Sequence, residues 1–157
     1  MNWKIVVIGG VVFAVVFFIS TILGVPLFHA GILAPIYKAH AQFWRPGFLD
    51  PNEGNLLPRA LGTGLVRGLV LAGVYDWLRA YLKGPGWLRG VKYGALLWVF
   101  GAMVILLWTV MFNLPDVLFF YWMLESLFEE LLAGAALGLV AQKLAPAEKT
   151  VGAHAVA

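Results

Sequence analysis

No cysteine occurs among the 157 residues, which excludes disulfides, thiolate metal sites and cysteine nucleophiles. Charge is nearly as scarce: Asp, Glu, Lys and Arg make up 12% of the chain, where a soluble domain carries roughly 25%. Histidine is confined to His29, His40 and His154, none of them inside a confident apolar span. A haem held between two helices and a histidine-rich, metal-dependent lipid enzyme therefore have little support, and no cofactor is expected. No serine or threonine has a base partner within an apolar run. What fills the chain instead is hydrocarbon: 62% of the residues are hydrophobic and the mean hydropathy is +0.87. Such a chain reads as an all-α integral membrane protein, a single compact domain with no room for a separate soluble one. The net charge is +3 and the pI is about 9.3. The cations lie at the ends of apolar runs, where they set topology and meet phospholipid. The lipid bilayer is thus an expected partner and nucleic acid is not.

Four apolar segments stand out, at about 5–28, 58–82, 91–112 and 115–140. Each is long enough for a hydrocarbon core of about 30 Å, which takes about 20 helical residues. The second is the least apolar. The first follows Lys4 but is too long for a signal peptide and lacks a nearby small-x-small cleavage site, so it reads as a retained anchor. The expected fold is a bundle of four transmembrane helices.

Loop charges orient it. The link between segments two and three holds Arg79, Lys83, Arg89 and Lys92 and no acid, whereas the link between three and four holds only Asp116. Lys4 precedes segment one, and Lys143 and Lys149 follow segment four. By the positive-inside rule, both termini and the second link are cytoplasmic. The first link carries Lys38, Arg45 and Arg59 on the outer side, offset in part by Asp50 and Glu53. Within it Leu33, Ile36, Tyr37, His40, Phe43 and Trp44 recur at three- and four-residue spacings. That pattern predicts a short interfacial helix over about 32–45, ended by Pro46-Gly47; continuation of segment one past Pro26 is the alternative. FLDPNEGNLLP reads as an exposed loop, and 145–157 as a short polar tail.

The stretch LESLFEEL sets Glu125, Glu129 and Glu130 inside segment four. Glu125 lies nine residues past Asp116, about 14 Å deep at 1.5 Å per residue. Glu125 and Glu129 share one helix face, and Glu130 points about 100° away. Ionised carboxylates facing lipid at that depth cost several kcal/mol, so they should face the interior, find partners or carry protons. Arg67 lies eight residues past Arg59, about 12 Å deep from the same side, which predicts an Arg67–Glu125 bridge. Asp76 and Arg79 are three apart on one helix and should pair. Glu129 and Glu130 then have no obvious cation. Gly64 and Gly68 in segment two, and Gly134 and Gly138 in segment four, have the G-x-x-x-G spacing that lets helices pack closely. Trp98, Trp108, Trp122 and Tyr121 read as interface-belt residues.

The string FEELLAG (128–134) resembles the Glu-Glu motif of the intramembrane CAAX-type protease family, in which paired glutamates activate water. The family motif has arginine where this chain has Gly134, and the later histidine-bearing helices are missing. The resemblance covers seven residues and the activity is not carried over.

Three functional classes remain. A non-catalytic membrane subunit would pack with itself or with other membrane proteins through small-residue faces and buried Arg/Glu pairs. A small proton- or cation-handling transporter or channel would use Glu125, Glu129 and Glu130, in a homo-oligomer because four helices make a thin pathway. A membrane-embedded hydrolase would use Glu129 and Glu130 as acid and base, but lacks partner residues. The sequence favours the first by a small margin.

Overall fold

The computed structural model describes residues 1–50, 52 and 54–145. Glu53 of the first link and all of the expected polar tail except Ala145 lie outside them. The described residues form helices joined by turns, without strands. Helix α1 spans Ile5–Ile32, α2 Ala34–Ala39, α3 Leu57–Leu78, α4 Gly86–Met111 and α5 Asp116–Leu144. Helices α1, α3 and α4 are each long and apolar enough to cross a membrane, α3 being the least apolar of the three. Helix α5 is 29 residues long and carries the three glutamates.

Several boundaries differ from the sequence expectation. Helix α1 does not stop at residue 28. Pro26 has no N–H to give an i→i−4 bond, and the chain passes it by widening to π-helical winding over Val25–Ile32. Helix α2 follows at once, and a single 3₁₀ turn, Ala41–Phe43, precedes Gly47, whose φ of +86° suits glycine alone. The expected segment 32–45 therefore begins at the last residue of α1 and holds two short helical pieces. Helix α4 starts at Gly86, five residues earlier than expected, after a turn through Gly84.

The packing places α1 and α5 at the centre, with α3 against α1 and α4 against α5. Glycine sets the closest of these contacts. A Cβ on Gly134 would stand 3.1 Å from the Cα of Gly94, and one on Gly138 would stand 2.8 Å from the amide nitrogen of Gly90. Helices α4 and α5 thus touch backbone to backbone, which only small residues allow. On the other side, a Cβ on Gly68 would meet Ala14 at 3.0 Å, whereas one on Gly64 would meet nothing within 4 Å.

Two apolar clusters fill the interior. One joins Ile5, Phe13, Ala72, Tyr75, Tyr93 and Leu137; there Tyr93 donates to the carbonyl of Leu71 at 2.7 Å and ties α4 to α3. The other joins Leu33, Tyr37 and Leu118, with Trp44 and Trp122 packed against them. Along α5 the glutamates fall between Leu118 of the second cluster and Leu137 of the first. A polar layer is therefore held between two greasy ones.

Candidate functional site

That layer consists of the three glutamates and what the other helices bring to them. Glu125, Glu129 and Glu130 are 7%, 7% and 4% exposed, so each needs a partner or a proton to avoid a large desolvation cost. Each finds a partner on a different side. Arg67 of α3 binds Oε1 of Glu130, with its guanidinium 4.2 Å above the ring of Phe17. Thr21 of α1 donates to Oε1 of Glu129 at 2.5 Å. His29 Nε2 lies 2.9 Å from Oε2 of Glu125.

The expected Arg67–Glu125 bridge is therefore replaced by Arg67–Glu130 and His29–Glu125. Depth matching singled out Glu125, but the direction each carboxylate takes around α5, about 140° apart for Glu125 and Glu130, decides the matter. Helix α1 stands against the Glu125–Glu129 face, and Arg67 reaches in at the flank where Glu130 points. Asp76 and Arg79 do pair along α3, at 2.9 Å. Asp76 also accepts the backbone N–H of Asn2 at 2.7 Å, so this pair pins the start of the chain to α3, away from the glutamate layer.

Sequence reasoning missed His29, Thr21, Tyr37 and Gly24. His29 escaped because the first span was ended at about residue 28, just short of it. The usable signal was that Thr21 and His29 are polar residues eight apart in an otherwise apolar run, two helical turns on one face. Gly24 makes room for the site: a Cβ there would stand 2.6 Å from Oε1 of Glu125. His29 Nδ1 lies 2.7 Å from the hydroxyl of Tyr37, which accepts the indole N–H of Trp122 at 3.0 Å. With that lone pair engaged, the phenolic proton is directed to Nδ1, and Nε2–H faces Glu125. Burial pushes the Tyr37 hydroxyl up to about 12, so it stays a proton donor across the physiological range. Trp122 is therefore part of the site, and Trp98 donates to the carbonyl of Met123 at 2.8 Å, locking α4 to α5.

One atom is left over. Oε2 of Glu130 is buried and has no hydrogen-bonding partner among the described residues. An unsatisfied buried acceptor of this kind costs about 1–3 kcal/mol.

Two cavities reach the layer. One of about 500 Å³ is lined by Thr21, His29, Tyr37, Lys38 and Phe48 and lies on the α2 side. Another of about 330 Å³ is lined by Phe17, Thr21, Thr63, Gly64 and Arg67. Thr21 borders both, and the side chains of His29 and Arg67 are 24% and 41% exposed. Towards the opposite end the layer is closed by Phe13, Ala72, Tyr75, Tyr93 and Leu137. Among the described residues, no three of His, Asp and Glu converge as metal ligands. The glutamates that resemble the protease motif take different partners, Thr21 for Glu129 and Arg67 for Glu130.

No family model, no curated protein and no solved structure matches this chain.

Proposed function

We propose that this chain is a multi-pass integral membrane protein that handles protons through its buried glutamate layer, as a small transporter or channel. In this reading α1, α3, α4 and α5 all cross the bilayer, both termini are cytoplasmic, and α2 lies in the outer interface. The charges of α5 all face inward or sit at its ends, which removes the cost that would otherwise keep it out of lipid. The observation that carries the reading is the placement of Glu129. It is buried, it is held by a hydroxyl rather than by a cation, and the residue that holds it borders two cavities.

A neutral partner stabilises a carboxylate without fixing its charge, so Glu129 is free to take up and release a proton. Glu125 with His29 and Tyr37 supplies a hydrogen-bonded route from the outer cavity, in which Tyr37 and His29 each donate and accept and the Glu125 carboxylate accepts. Glu130 is clamped by Arg67 and serves as the fixed charge of the layer. Protons suit the geometry better than a metal cation, which needs several oxygens around one point. Closure by Phe13, Tyr75 and Tyr93 is what a transporter requires on the far side of its site in one of its two states.

The test is a pH-difference infrared titration of the protein in lipid. A carboxylic-acid C=O band that titrates in the wild type and vanishes in Glu129→Gln supports the reading. An unchanged band in that variant removes Glu129 from it.

A second reading, the non-catalytic subunit, is favoured by a separate observation. A Cβ on Gly62 or Gly101 would meet nothing within 4 Å and both residues are exposed, so α3 and α4 each carry a small residue on an outward face, where another helix can come close. Purification as a homo-oligomer or with other membrane chains would support it, and a lone monomer in mild detergent would count against it.

A further inference from the structure

A cavity remote from the glutamates lies where α3 ends, α4 begins and α5 finishes. Its volume is about 340 Å³, and Arg79, Arg89, Gly84, Gly86 and Gln142 line it. The two arginines come from opposite sides of the turn, and their free donors differ. Arg79 is largely committed: Nε bonds Asp76 at 2.9 Å, and Nη1 bonds the carbonyl of Ala145 at 3.2 Å. Arg89 is held only by Nε, which donates to the carbonyl of Gly84 at 2.6 Å. Neither of its Nη groups has a hydrogen-bonding partner among the described residues, and it forms no ion pair there. Among the described residues Asp76 is the one acid that bonds an arginine of this cavity, and it is engaged by both Arg79 and Asn2. Lys83 and Lys92 add positive charge, with Lys92 bonded to the carbonyl of Lys83. The first amide of α4 is not a free donor, since Gly86 N–H bonds Gln142 at 2.7 Å. The side chains therefore make the site.

We infer that this cavity binds a phosphate group, with the terminal nitrogens of Arg89 as its principal donors and Arg79 as a second charge. A guanidinium whose Nε is anchored presents its two terminal nitrogens as a fixed fork, the geometry that matches two phosphate oxygens. The carbonyl bond at Gly84 sets the direction of that fork. Gly84 adopts φ +118°, so the turn offering the carbonyl is a glycine-specific conformation. The inference rests on the membrane reading for the source of the phosphate: the ends of three membrane helices lie at headgroup level, where basic pockets between helices take anionic lipids. The same chemistry accepts a soluble phosphate. It is independent of the proton reading, because no residue is shared with the glutamate layer.

The experiment uses delipidated protein in a neutral detergent, with unfolding followed by tryptophan fluorescence. Phosphatidylglycerol, phosphatidylcholine and inorganic phosphate are titrated separately into the wild type, Arg89→Gln, Arg89→Lys and Lys83→Gln. The expected result is a rise in unfolding temperature with phosphatidylglycerol but not with phosphatidylcholine. Affinity should fall about tenfold or more in Arg89→Gln, as the loss of a charge-assisted pair implies, and stay near wild type in Lys83→Gln. Arg89→Lys should fall in between, because it keeps the charge and loses the fork. Protection by inorganic phosphate with the same dependence on Arg89 would uphold the site and assign it to a soluble anion. Equal protection by the two lipids would overturn the inference. So would equal losses in Arg89→Gln and Lys83→Gln, which would mean that diffuse surface charge does the binding. Arg89→Gln should fold as the wild type does when no ligand is present, since its one lost bond is to an exposed turn.

Discussion

Replacing Arg67 by Met removes the cation that neutralises Glu130 and leaves both oxygens of that carboxylate unpaired, since Oε2 already has no partner among the described residues. Breaking a buried pair in this way costs about 3–5 kcal/mol. The lower end applies, because the Arg67 side chain is 41% exposed whereas that of Glu130 is 6% exposed; about 3 kcal/mol is a hundredfold in the folding equilibrium. The converse change, Glu130→Leu, is milder. Arg67 then keeps its stacking on Phe17 and can turn its head to polar surroundings, at a cost of about 1 kcal/mol. The double variant strands no charge and should lie within about 1 kcal/mol of the wild type. The two changes are therefore non-additive by about 3 kcal/mol. Reversible unfolding in mixed micelles, followed by tryptophan fluorescence, measures all four species. Arg67→Met combined with Glu125→Leu should instead be additive, because His29 and not Arg67 faces Glu125. Coupling below about 0.5 kcal/mol for Arg67 and Glu130, the level of non-contacting residues, would refute the assigned pairing.

Gly134→Ala should destabilise by about 1–3 kcal/mol, because the new methyl is pressed into the backbone of Gly94 and an overpacked contact costs that much. Gly64→Ala, with nothing within 4 Å, should be neutral or stabilise by about 0.5–1 kcal/mol through helix propensity, in the same unfolding assay. Gly24→Ala should displace the Glu125 carboxylate from His29, seen as a change in the His29 ring resonances on labelling, with Arg67 and Glu130 still coupled; unchanged resonances would contradict the assigned geometry. For topology, Pro85→Cys and Asn113→Cys should label from opposite sides of the membrane, and labelling from one side would end the four-span arrangement.

Local features were legible in the sequence, and features set by helix rotation were not. The Asp76–Arg79 pair follows from three-residue spacing alone, and the apolar runs located all four long helices. The identity of Arg67's partner depends on how α1 and α3 divide the faces of α5, which depth along a helix does not encode. His29 was hidden because the first span was ended at about residue 28; the chain widens its winding past Pro26 and carries His29 into the site. The contact face of α4 was hidden differently. Gly86, Gly90 and Gly94 repeat every four residues, but Arg89 and Lys92 between them made the first turns resemble a cytoplasmic link. Of the expected packing glycines, Gly68, Gly134 and Gly138 meet another helix, while Gly64 borders the open cleft between α1 and α3.

The central claim is that Glu129 exchanges protons with the outside of the protein. The direct measurement is proton flux in proteoliposomes loaded with a pH-sensitive dye and driven by a potassium-diffusion potential. Wild-type protein should acidify or alkalinise the lumen according to the sign of the potential. Glu129→Gln should abolish the flux while unfolding as the wild type does, and Arg67→Met with Glu130→Leu should retain it. Flux that persists in folded Glu129→Gln, or wild-type vesicles no leakier than empty ones under either potential, would contradict the account.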